Sequence, residues 1–401
     1  MGNARQRPPR ATLAAAAVMA LLVALITAPS AAAEGQVFGA DRADAVRDSY
    51  IVTIKDTASP KSASAQTAGA LTKQYGGRVR LVWQHALNGF SAHMTAPQAR
   101  RIAADPRVAF VQQDAVVKAS GTQNDPPSWG LDRIDQRDLP LDHSYSYGTS
   151  AKNVHAYVID TGIRTTHVTF GGRATWGTNT VDSNDTDCFG HGTHVAGTIG
   201  GSQYGVAKNV RLVAVKVLDC SGSGTTEQVV NGINWVTEHA VKPAVANMSL
   251  GGPADPALDA AVANSIDSGV TYAVAAGNAN ADACSVSPAR VRAAITVGAA
   301  DAGDHRASFS DYGTCTSIFA PGVKITSAWH TDDNAVNTIS GTSMATPHVA
   351  GVAALWLSAH PGDSPEEVRD ALVEEATADK VVDAGIGSPN KMLFSRCRNC
   401  D

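Results

Sequence analysis

"VHAYVID", residues 154–160, is an apolar run that ends on a carboxylate. Working outward from it, four companions follow: "VRLVAVKVLD" (210–219), "AVANMSL" (244–250), "VTYAVAAGN" (270–278) and "AAITVGAA" (293–300). A strand with one wet face alternates apolar and polar residues. Runs that are apolar at nearly every position are instead buried on both faces, as in a parallel sheet covered by helices. Helical stretches fall between them at 226–239 and 257–268, the second stopped by Gly269. From Asn153 onward the pattern therefore predicts an α/β fold around a central, mostly parallel sheet. Such sheets bind ligands beyond the carboxyl ends of their strands, here Asp160, Ser249-Leu250-Gly251 and Asn278.

The preceding segment reads differently. Strand 50–55, helix 62–75, strands 78–84 and 88–94, helix 96–104 and strand 108–117 give the β-α-β-β-α-β order of a small ferredoxin-like α+β unit. Residues 1–33 carry Arg5, Arg7 and Arg10, a short apolar stretch over 11–26, and Ala31-Ala32-Ala33, the pattern of a secretory signal. That stretch is too short to span a bilayer, so the mature protein is expected to be soluble, extracellular and without a membrane partner. "ASGTQNDPPSWG" (119–130), with Pro126-Pro127, predicts a loop that a protease can reach. The expected organisation is a signal over 1–33, a segment 34–120 holding the small domain at about 48–118, and a large domain over 121–401.

Charge separates the same two parts. Residues 1–120 hold 14 Lys+Arg against 7 Asp+Glu, whereas residues 121–401 hold 18 against 30. Oppositely charged segments attract, and an acidic body is unsuited to nucleic acid. All six cysteines, Cys188, Cys220, Cys284, Cys315, Cys397 and Cys400, lie in the acidic part, and export implies disulfides. Cys397-Arg-Asn-Cys400 also has the spacing of a metal half-site or a redox pair. No second CxxC completes a four-thiolate zinc site, so we read it as a tail disulfide.

Two further stretches bear chemistry. In "DCFGHGTHVAGTIGG" (187–201), glycines surround His191 ahead of a small-residue helix. His191 and His194 are three apart, as metal ligands on one helical face could be, but the glutamate of HExxH is missing. In "ISGTSMATPHVAGVAAL" (339–355), Thr342 or Ser343 could cap a helix with Pro347 in its first turn. Equally, Ser343 could be a nucleophile, because a helix amino terminus offers N–H groups and a positive dipole end to an oxyanion. The lipase elbow GxSxG is not matched, since Gly341-Thr342-Ser343-Met344 is followed by Ala345. Asp160 alone could be a strand-end turn residue.

Taken together, Asp160, His191 and Ser343 follow the Asp, His, Ser order of subtilisin. With "WGLDRIDQRDLPL", "VIDTGI", "HGTHVAGT", "NMSLGG", "VAAGN" and "SGTSMATPHVAG", residues 121–395 strongly resemble a subtilisin-like serine protease of the proteinase K and aqualysin type. The resemblance implies a three-layer fold, with residues 48–118 as an inhibitory propeptide. It implies Ser343 as nucleophile, His191 as general base, Asp160 as the group orienting the imidazolium, and Asn278 with the Ser343 N–H as oxyanion donors. Peptide substrate would lie as an added strand between Ser221-Gly222-Ser223 and Ser249-Leu250-Gly251. The primary pocket, walled by Ser249–Gly252 and by Ala275, Ala276, Gly277 and Asn278, has no charge in these segments, implying broad cleavage after apolar or aromatic residues. His194 and His348 would be structural.

The same resemblance pairs Cys188 with Cys220 and Cys284 with Cys315, and makes calcium the expected structural ion. Asp132, Asp135, Gln136 and Asp142 match one calcium site, against the alternative of a solvated acidic face. Ser317-Ile318 stands where relatives of this type carry an aspartate, which removes a carboxylate from another. The expected protein is a monomeric, secreted endopeptidase acting on polypeptides, inhibited by its own propeptide and cut by itself near Ser120-Gly121. A catalytically silent binder would have lost a triad member or Asn278. An esterase with this triad would not process its own precursor.

Overall fold

The computed structural model describes residues 34–40, 45–56, 63–115 and 121–395. The expected signal, Ser120 of the expected cleavage site, and Cys397 and Cys400 lie outside them. The chain divides into two units, 1–115 and 116–401.

In the smaller unit the buried side chains Tyr50, Val52 and Ile54 recur at every second residue of strand Ala45–Ile54, the period of a half-covered sheet. The sheet order is Val37–Phe38, Val108–Ala115, Ala45–Ile54, Gly89–His93, Arg78–Trp83. Helices Ser64–Tyr75 and Ala96–Ala103 place Ala68, Leu71, Ala99 and Ile102 in the same core. The expected ferredoxin-like order is present. What was not foreseen is Val37–Phe38, parallel to Val108–Ala115 and too short to carry a periodic signal.

The larger unit is built on a nine-stranded sheet in the order Thr377–Ala378, Lys391–Met392, Ile318–Pro321, Ile295–Ala300, Thr271–Ala275, Ala244–Met248, His155–Asp160, Arg211–Lys216, Ala174–Asn179. Only the edge pair Thr377–Ala378 with Lys391–Met392 is antiparallel. Successive residues of the central strand go to opposite cores: Ala156 and Val158 to one, Tyr157 and Ile159 to the other. Hence the unbroken apolar runs. Helices His191–Gly200 and Thr342–Ala359 cover the first face, Thr226–His239 and Pro256–Asp267 the second, giving three layers. Asp255 caps the last of these by accepting from the Ala257 and Leu258 N–H groups, so this helix starts and stops one residue before the predicted bounds. Among the described residues no helix is long and apolar enough to cross a membrane.

Two local expectations are corrected. Residues 121–130 are not all loop: Gly121–Asn124 pairs with Ser144–Tyr147, and Trp129–Ile134 is helical. A strand whose partner is twenty residues away leaves little trace in its own four residues. In helix Thr342–Ala359 the N-cap is Gly341, so neither Thr342 nor Ser343 caps it, and Pro347 lies inside the helix rather than in its first turn. Pro347 has no N–H to give the Ser343 carbonyl. The Ser249 hydroxyl donates to that carbonyl instead, at 2.8 Å.

Candidate active site

Strands Ala244–Met248, His155–Asp160 and Thr271–Ala275 end together at one edge of the sheet, because they are parallel. There Asp160 is fully buried and faces the first residue of helix His191–Gly200. Its carboxylate oxygens lie 2.8 and 2.9 Å from His191 Nδ1, and Oδ1 also accepts from the Thr161 N–H at 2.7 Å. The helix approaches this closely because Gly192 lacks a side chain: a Cβ there would lie 2.1 Å from the Gly162 carbonyl oxygen. Burial of the His191 ring favours its neutral form, but the Asp160 charge and hydrogen bond outweigh it and hold the imidazole above its ordinary value.

Asp187 holds this helix in place, and sequence reading did not single it out. Buried below the helix start, it accepts from the N–H groups of Phe189, Gly190 and Thr193 and from the hydroxyls of Thr161 and Thr193. It thus caps the helix from three residues before the N-cap Gly190, which has no side chain to do so. The available signal was an acidic residue just before a helix start.

His194 points elsewhere. Its Nε2 lies 3.0 Å from the Ile325 carbonyl, and burial pushes its pKa down to about 3. His348, bonded to the Met344 carbonyl, is lowered to about 4 by the same cause. Both are neutral core histidines, and His191 and His194 do not converge on a common ligand.

Ser343 is partly exposed in the first turn of its helix, and its Oγ donates to the Ser249 carbonyl at 3.0 Å. It makes no hydrogen bond to His191 among the described residues. Beside it, Asn278 Oδ1 accepts from the Thr342 N–H at 2.8 Å and the Thr342 hydroxyl at 3.0 Å. With its oxygen engaged, the exposed Asn278 turns its amide NH2 away from Thr342. Asp311 supports this loop from beneath and was also missed. Its Oδ1 accepts from the Ala279 and Ala281 N–H groups, both at 2.8 Å, and its own N–H donates to the Gly277 carbonyl. Gly277, at φ 117°, has no room for a Cβ, which would sit 2.1 Å from Asp311 Oδ2. A buried carboxylate thus lies behind a wall whose own segments contain no charge.

The candidate substrate-binding segments flank this edge. Ser221, Gly222 and Ser223 form a turn folded on Asp219, whose Oδ1 accepts from the Ser221 and Ser223 N–H groups. Gly222 is at its tip with φ 77°. On the other side Ser249 is buried, Leu250 half-buried, Gly251 exposed, and a Cβ on Gly252 would meet nothing within 4 Å. Ala275 and Ala276 are buried. Cys188 is joined to Cys220 with Cα atoms 5.0 Å apart, tying the His191 approach to the 221–223 turn. Cys284 is joined to Cys315 at 5.2 Å. Closing loops of this length stabilises a fold by about 3–4 kcal/mol each in the chain-entropy account.

The four candidate calcium residues are neighbours, but their geometry is mixed. Asp132 accepts from the Asp142 and His143 N–H groups, Gln136 Oε1 also accepts from Asp142 N–H, and Asp142 Oδ1 accepts from Ser144. Among the described residues Asp135 Oδ1 is buried without a partner. Burial first, then the charges of Asp142 and Asp132, push the Asp135 carboxyl up to about 7. A cation would relieve that crowding. Against this, no three acidic or histidine side chains among the described residues stand close enough to hold a metal as they are. Ser317 pairs with Thr296 along the sheet.

Residues 151–389 match the model of the subtilase family, and residues 49–120 match that of peptidase inhibitor I9. The chain is 49% identical over 382 residues to an extracellular serine proteinase of a Thermus species, covering 90% of this chain and 93% of that protein. It is likewise 49% identical to alkaline serine exoprotease A of Vibrio alginolyticus, over 88% of this chain and 68% of that one. Among solved structures, a cold-adapted subtilisin-like serine proteinase is 56% identical, with a TM-score of 0.65, covering 67% of this chain and 97% of that one.

Proposed function

Since the chain belongs to the subtilase family and carries an inhibitor I9 domain ahead of the peptidase domain, it is a serine endopeptidase made as a proprotein, and we propose that Asp160, His191 and Ser343 are its triad. The observation that carries this reading is His191 Nδ1 held between both oxygens of a fully buried carboxylate. With its proton on Nδ1, the ring leaves Nε2 as an acceptor. The Ser343 hydroxyl turns from the Ser249 carbonyl to Nε2, gives up its proton and attacks the scissile carbonyl; His191 then protonates the leaving amine, and water releases the acyl group. Asn278 NH2 and the Ser343 N–H donate to the oxyanion, a donor of this type contributing about 2.7–4 kcal/mol.

The acid limb of the pH profile tests the base. Imidazolium cannot accept the serine proton, so activity is lost as pH falls through a value raised by Asp160. In peptide hydrolysis, kcat/KM is expected to drop with one proton on an acid limb whose midpoint lies above that of free histidine. A rate flat between pH 5 and 8 contradicts the assignment.

Several finer readings belong to the proposal. Substrate lies as a strand between 221–223 and 249–251, in a pocket favouring apolar and aromatic residues. The signal spans 1–33, the propeptide 34–120, cleavage falls near Ser120-Gly121, and the mature chain is extracellular and monomeric. The Thermus relative, named extracellular, supports export.

Subtilases bind structural calcium, and we assign Asp132, Asp135, Gln136 and Asp142 to one such site, small shifts of Asp142 and Asp135 completing the ligand set. The unpartnered Asp135 oxygen supports it. Because the Asp135 pKa is higher folded than unfolded, its contribution to stability is lost as pH rises from about 4 to about 7 unless a cation is bound. With a chelator present, Asp135→Asn is expected to melt above wild type at pH 8 and level with it near pH 4. With calcium the order at pH 8 reverses. Identical calcium dependence of both proteins places the ion elsewhere.

A further inference from the structure

At the opposite edge of the sheet from Asp160 lies a recess of about 390 Å³ whose lining includes Lys152, His155, Arg173, Asn209 and Arg211 and, among the described residues, contains no carboxylate. We propose that this recess is a binding site for a phosphate- or sulfate-bearing anion, a role separate from peptide hydrolysis.

The topology gathers these side chains. His155 and Arg211 are the first residues of adjacent parallel strands and are register partners, while Arg173 immediately precedes the next strand, Ala174–Asn179. The strand from His155 to Asp160 is about 17 Å long, at about 3.3 Å per residue, so the recess and the triad carboxylate face opposite ends of the sheet.

The positive charge here is not neutralised. Lys152, Arg173 and Arg211 enter no ion pair among the described residues. Among the described residues Arg173 is fixed by neutral groups alone: Nη1 donates to the Gly200 and Val210 carbonyls at 2.8 and 3.0 Å, and Nη2 to the Thr169 carbonyl at 3.1 Å. A guanidinium has five N–H donors, so two remain for a ligand, on an arm already held in place. Among the described residues His155 Nδ1 is buried without a partner, and burial together with the Arg211 charge holds the imidazole below its ordinary value. These features describe a positive field within a domain of the opposite net charge.

Neighbouring like charges at fixed positions repel, and a compact multivalent anion relieves this where a single carboxylate would do so incompletely. Phosphate and sulfate oxygens match guanidinium forks and ammonium donors. The volume exceeds that of one such ion and admits a small ester.

The test is calorimetry on the mature enzyme, blocked with a serine-directed inhibitor, using sulfate, inorganic phosphate and glycerol 2-phosphate against chloride at equal ionic strength. One saturable site is expected, filled at millimolar or lower concentration. Lys152→Ala and Arg211→Ala are each expected to weaken it about tenfold, and the double variant to abolish it, with peptide hydrolysis unchanged. Arg173 is left intact because its loss would also remove a donor from three backbone carbonyls. Tighter binding of the ester than of the free ions identifies a small ester as the ligand; equal binding identifies the free ion. Heats that match chloride, or a double variant that binds like wild type, overturn the proposal.

Discussion

Ser343→Ala, secreted from a host lacking extracellular proteases, is expected to retain the full mass of the proprotein, while the wild type is recovered as a chain beginning near Gly121. The hydroxyl is the only group the substitution removes. Ser249 Oγ bonds to the Ser343 carbonyl, and Thr342 bonds to Asn278, so the helix start and the Asn278 loop persist without it. Its loss takes only the bond to the Ser249 carbonyl. Removing the nucleophile of a subtilisin triad lowers kcat on the order of 10⁶-fold, a magnitude known for that triad rather than calculated from this site. At that rate self-cleavage does not finish within a culture. Intact-mass analysis decides the matter. Maturation of both forms alike means that another protease makes the cut, and the assignment of self-processing to Ser343 fails.

Asp160→Asn is expected to slow self-cleavage of the refolded proprotein about 10⁴-fold with the fold kept. Asparagine preserves the shape and can still accept from the Thr161 N–H through its oxygen. What changes is the group facing His191 Nδ1. If the amide NH2 faces the ring it needs an acceptor there, which moves the imidazole proton to Nε2 and leaves no base for Ser343. The carboxylate that raises the His191 pKa is lost as well, while burial, which lowers it, remains. The residual activity should therefore also show an acid limb shifted to lower pH. Rate loss with an unchanged melting temperature supports the role; a rate within tenfold of wild type contradicts it.

The sequence by itself determined the layered fold and where to look for the site. Burial of the sheet on both faces forces apolar residues at nearly every position of 154–160, 244–250 and 270–278, and that constraint is local enough to read. In the smaller unit, burial of one face alone places Tyr50, Val52 and Ile54 at every second residue, a pattern that is as local. The carboxyl ends of those runs carried Asp160, Ser249 and Asn278, and the surrounding motifs carried the family. Only the tertiary structure decided which groups face one another. Asp187 and Asp311 read as ordinary loop acids, yet each collects N–H donors from a neighbouring segment and sets a helix or a loop beside the site. Gly121–Asn124 becomes a strand through Ser144–Tyr147, and Lys152, Arg173 and Arg211 meet because three strands begin side by side. Apolar periodicity records whether a residue faces the core, a property of its own position in one element. Polar partnership depends on the approach of distant segments, and it acquires an address only when the chain folds.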